Sequence, residues 1–158
     1  MAVHRGGPLD LAKHRLLAGW AADCVEHVLP LFTTKYPDDD RPGLAIETAR
    51  AWSRGEVGVG EARAAAVAAH AAARSASDDA ARAVARAAGH AVATAHMADH
   101  SLGVVYAVRA VKLASPAQAA EAAGDREHQW QREHLPEEVR ELVVSAQDQG
   151  AVLGTWQP

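Results

Sequence analysis

One cysteine, one phenylalanine and an aromatic share of only 4% leave this chain of 158 residues with few of the usual means of holding a small protein together. Cys24 alone cannot close an internal disulfide, so a disulfide framework is excluded. Sixteen basic residues against twenty acidic give a net charge of −4, without the cationic surplus of a general nucleic-acid binder, and a basic partner is the more natural expectation. No stretch has the eighteen or so uninterrupted strongly apolar residues of a membrane span, and the start "MAVHRGGPLD" lacks the apolar core of a secretory signal. The expectation is a cytoplasmic protein with no membrane segment and, at this length, a single domain over 1–158. Catalytic signatures are equally scarce. There is no G-x-S-x-G elbow and no H-E-x-x-H pair, and "GEVGVG" has neither the order nor the preceding strand of a phosphate-binding loop. Cys24 sits in an apolar helical stretch, where a small buried thiol is the default.

What the chain does have is alanine at helical spacing. A first helix opens near Asp10 and carries Leu11, Leu16, Leu17, Trp20, Cys24, Val25, Val28, Leu29 and Phe32, with Pro30 kinking or ending it. A second starts at Asp40 and Pro42 and stops at Gly55. Two alanine-rich segments follow, about 61–75 and 78–98, capped at Ser77 or Asp78, and their likeness suggests a helical hairpin built on a small-residue seam. The helical pattern then runs on so far that a break near 99–101 is expected. Ser115 and Pro116 open another helix to about His134, and Pro136 starts the last. No strand-like alternation competes. The fold class is all-α, a bundle of about six helices with the alanine-rich hairpin at its centre.

The stretch "GHAVATAHMADHS" (89–101) places three histidines in that pattern. On a continuous helix His96 and His100 lie about 40° apart and can reach one cation. His90 falls roughly 120° away, on a polar stripe with Asp79, Arg82 and Arg86. A chain with nine histidines holds such a pair by chance about as often as not, and a zinc site needs three or four ligands. One alternative is therefore a metal-dependent helical enzyme using His96 and His100 with His70 or Asp99. The structural reading has Asp99 or Ser101 capping the next helix while the two imidazoles bond to carbonyls at the preceding helix end. His70 lies between Arg63 and Arg74 on a polar face, Trp130 is one indole among charged residues, and the carboxylates at Asp38, Asp39, Asp40 and Glu133 form acidic patches. These six are the candidate partner contacts.

The segments "RPGLAIETARAW", "ARAAAVAAHAAAR", "ARAAGHAVATAHMADHSLG" and "EHQWQREHLPEEVRELV" together resemble the small all-α immunity proteins of bacterial polymorphic toxin systems, the immunity family five-like group. The matching positions are Trp52, His70, Gly89, His96, His100, Trp130, Leu135 and Pro136. That resemblance implies a non-enzymatic inhibitor that needs no cofactor and occludes a cognate toxin protein, without naming the toxin. A helical adaptor, self-associating as a homodimer, is the remaining alternative.

Overall fold

The computed structural model describes residues 9–148. The reading of the first eight residues as free of a secretory signal, and both ends of the expected 1–158 domain, lie outside them. Among the described residues there are eight α-helices and no strand. They are α1 (Leu11–Val28), α2 (Pro30–Thr33), α3 (Arg41–Ser53), α4 (Val59–Ser75), α5 (Asp79–Ala93), α6 (Val105–Ala114), α7 (Ala120–Glu133) and α8 (Glu137–Asp148), with 3-10 turns at Ala98–Val104 and Ala117–Ala119. The all-α class is as read, and the count is eight rather than about six. One reason is Pro30, which ends α1 and opens the four-residue α2, since its ring removes a donor and clashes with the preceding turn.

Local chemistry sets several boundaries. Asp10 accepts from Lys13 N at 2.8 Å and Asp78 from Ala81 N at 2.9 Å, each satisfying an orphan amide of a first turn. Asp40 occupies the cap position of α3 but makes no side-chain cap; Asp39 instead accepts from Arg41 N at 3.2 Å. Gly55 closes α3 at a φ of 78°, a left-handed conformation open to glycine. Ser115 does not cap forward as expected. Its hydroxyl donates back to Val111 O at 2.7 Å, and α7 begins only at Ala120.

The expected hairpin is α4 against α5, the most extensive helix pair, and α5 also packs on α1, α2, α3 and α6. Twelve of its fifteen residues are buried, most of them alanine. Small side chains allow such close approach on every side. Leu17, Phe32, Ile46 and Trp20 supply the bulk around it, each worth about 1.5–3 kcal/mol when buried. Trp20 Nε1 donates to Gln131 O at 2.9 Å, tying α1 to α7.

The helix break comes earlier than expected. α5 ends at Ala93, and the Thr94 carbonyl accepts from Nε2 of the buried His14 on α1. Met97 is then extended. His96 and His100 are therefore not on one continuous helix, and the 40° relation does not apply to them.

Candidate functional site

α4, α5 and α6 enclose a groove whose inner end is a histidine cluster. His70 of α4 lies over the α5 backbone at Gly89, where an added Cβ would come within 2.6 Å of the ring. His90, one turn from the end of α5, tucks under Gly103 of the 3-10 turn, where a Cβ would overlap the His90 side chain. The His90 ring meets His70 edge-on at 5.2 Å and stacks on Tyr106 of α6 at 5.3 Å. Its Nδ1 lies 3.1 Å from the His100 Nδ1, and the His100 ring lies 5.2 Å from that of His96. One Nδ1 donates and the other accepts, so the two rings cannot both be cations.

Electrostatics points the same way. Burial pushes all four imidazoles below their ordinary value, because the charged form loses its hydration. His90 is pushed to about 3, by burial first and then by His70, His100 and Arg86. His70 is lowered by burial and by Arg74 and Arg86, and His96 by burial and Arg63. For His100 burial again leads, His96 and His70 add to it, and Asp99 opposes them. The cluster is neutral at pH 7.

The structure thus gathers His70, His96 and His100 around His90, which corrects the placement of His90 on an exposed polar stripe. Asp79, Arg82 and Arg86 do follow the outer part of that stripe, but the 3-10 turn and α6 close over its last turn, leaving His90 only 3% exposed. The capping expectation also fails. Among the described residues neither the 3-10 turn nor α6 receives a side-chain cap, the Ser101 hydroxyl is buried without a partner, and His96 Nδ1 is likewise unbonded. The two imidazoles meet each other, and His100 meets His90, rather than carbonyls. Among the described residues no three His, Cys, Asp or Glu side chains could hold a metal ion, so the pair gains no third ligand.

Outside the cluster lie two neighbouring hollows of about 380 and 280 Å³ that share Arg86 and Tyr106 in their walls. Val67, His70, Ala73, Arg74 and His90 line the first; Asp79, Arg82, Ala83, Arg109 and Leu113 line the second. Nothing in the helical pattern of α5 and α6 taken singly marks Tyr106, Arg86 and Arg109 as neighbours. The available signal was a glycine flanking each tight spot, Gly89 and Gly103.

The remaining expected contacts lie elsewhere. Asp38, Asp39 and Asp40 line a shallow groove in the α2–α3 connection, where Arg41 clasps Asp39 at 2.6 and 2.8 Å and holds its carboxyl below the usual range. Trp130 is half-buried, sandwiched at 3.9 Å between His27 and His134. Glu133 is exposed and accepts from Gln129 Nε2 at 2.8 Å.

The family model of the Imm-5 like putative immunity protein matches residues 7–138. The chain belongs to that family. No curated protein and no solved structure matches it. The match to the Imm-5 like family takes in α1 through α7, and with them the whole histidine cluster and its groove. No helix of this Imm-5 like chain, among the described residues, is long and apolar enough to cross a membrane.

Proposed function

We propose that the chain binds a cognate bacterial toxin domain in the cytoplasm and neutralises it by stoichiometric occlusion, acting as a binding protein and not as an enzyme. Membership of the Imm-5 like family over residues 7–138 carries this reading. The physics is compatible with it. A helix enclosed by its neighbours and packed largely through alanine presents its surface with little ordering cost on association. The exposed carboxylates of Asp38, Asp40 and Glu133 are available to a basic patch of the partner, and complementary charge speeds encounter. Trp130 is less available as an anchor, because its two faces already stack on the chain's own imidazoles.

The test is affinity capture of the full chain from its native organism, followed by co-expression with the captured toxin domain. Recovery of one toxin-like partner at 1:1 stoichiometry, with restored growth on co-expression, is the expected result. Repeated recovery of the chain alone, or growth arrest despite co-expression, overturns the reading.

A further inference from the structure

Arginine elsewhere in the molecule is mostly neutralised in place. Arg41 pairs with Asp39, Arg50 with Asp23 and Glu26, and Arg54 with Glu56. The groove between α4, α5 and α6 is different. Arg74 of α4 and Arg86 of α5 line its first hollow, Arg86 and Arg109 of α6 its second, and among the described residues none of the three has an ion pair or a side-chain hydrogen bond. The only acid in its lining, Asp79, is taken by Arg82 at 2.8 Å. A chain with a net charge of −4 thus lines these two neighbouring hollows with three guanidinium groups that no carboxylate of the described residues pairs.

The neighbouring side chains sharpen the chemistry. The His70 and His90 imidazoles at the groove's inner end add no charge at pH 7, so the attraction comes from planar guanidinium forks, which bind carboxylates in a bidentate manner. Val67 is 66% exposed at one end and Leu113 45% exposed at the other, giving an apolar foothold on each side of the charged floor. That combination suits a peptide segment better than a bare ion. It also differs from the basic partner patch that the net charge suggests, since these three residues call for the opposite sign.

We propose that this groove receives an acidic segment of the partner protein, whose Asp or Glu carboxylates pair with Arg74, Arg86 and Arg109 while apolar residues flanking them rest on Val67 and Leu113. The identity of that partner as a toxin rests on the immunity reading; the groove's preference for carboxylates does not. Charge pairing of this kind weakens with added salt.

The experiment uses the full chain and a fluorescein-labelled decapeptide of glutamates with a leucine at each end, followed by fluorescence anisotropy at low salt. The expected result is saturable binding that is at least tenfold weaker in the Arg74→Gln, Arg86→Gln, Arg109→Gln triple variant and unchanged in an Arg126→Gln variant, which removes an exposed guanidinium outside the groove. Circular dichroism should show the triple variant fully folded, because among the described residues none of the three arginines makes an ion pair or a side-chain hydrogen bond. Equal peptide affinity in the triple variant overturns the proposal, as does displacement of the peptide by inorganic phosphate or a short single-stranded oligonucleotide at lower concentration than by free glutamate peptide. So does light scattering that shows a stable dimer with the peptide excluded. The same triple variant is then co-expressed with the captured toxin. Full protection by that variant ends the proposal and leaves the immunity reading standing, whereas arginine-dependent peptide binding with no toxin recovered does the reverse.

Discussion

At the α1–α7 face, His27 lies 2.8 Å from the buried carboxylate of Glu127 and stacks on Trp130. At the α4–α5–α6 face, His90 is sealed between His70, His100 and Tyr106, and the charged group acting on it is Arg86. Both faces gather several imidazoles. The first sets its ring against a carboxyl group, with Gln131 Nε2 also reaching Glu127 at 3.3 Å. The second surrounds its ring with neutral or cationic neighbours and backbone that only glycine permits. The same residue type is therefore a polar partner of a carboxyl group in one place and an apolar filler with a polar edge in the other.

Three perturbations test that contrast, beginning with the largest. Gly103→Ala forces a Cβ into the His90 side chain, and overpacking of this kind should lower stability by about 3 kcal/mol in urea unfolding. The Gly103→Ala, His90→Ala double variant should recover a large part of it. If the single variant unfolds at the wild-type midpoint, the tight packing of this face is not as described.

Acid comes next. A folded His90 held to about 3 binds its proton far less readily than the unfolded imidazole at 6.5. Stability is retained above 6.5 and lost as the pH falls from there toward 3, at about 1.4 kcal/mol per pH unit while the unfolded ring is protonated and the folded one is not. Unfolding midpoints measured from pH 7 to pH 4 should fall more steeply in the wild type than in a His90→Leu variant. Parallel curves would contradict the buried neutral ring.

The smallest effect belongs to the other face. His27 is 40% exposed on its side chain, and its loss leaves Glu127 with Gln131 and access to water. His27→Ala should therefore cost about 1 kcal/mol by chemical denaturation. A loss as large as that of Gly103→Ala would erase the distinction between the two faces.

The boundaries legible in the sequence are those determined within a few residues. Asp10 and Asp78 cap the turns that follow them, Pro30 interrupts α1, and Gly55 closes α3, because each acts on its own neighbours. The alanine-rich hairpin was legible for a similar reason, since the residue spacing carries the helix and the small side chains carry the close approach. Long-range partners were not. Thr94 ends α5 with its carbonyl on His14, eighty residues away, and no pattern near Thr94 announces it. The helical wheel placed His90 correctly in line with Arg82 and Arg86, yet it could not show that Gly103 and Tyr106 fold over that end of the stripe. His96 and His100 were expected together on a helix. They meet instead across a turn, and without a third metal ligand among the described residues. Trp130 was read as one indole on a solvated face, but His27 arrives from α1 to cover it.

The enclosed central helix has a consequence for how such a molecule diversifies. Because α5 meets its neighbours mainly through methyl groups, the positions of α4 and α6 are dictated by main-chain proximity, and the outward-pointing guanidinia bear no part of that framework. Residues 74, 86 and 109 can be exchanged for others of different sign or size while the walls stay put, so the charge of the groove is set apart from the frame that shapes it.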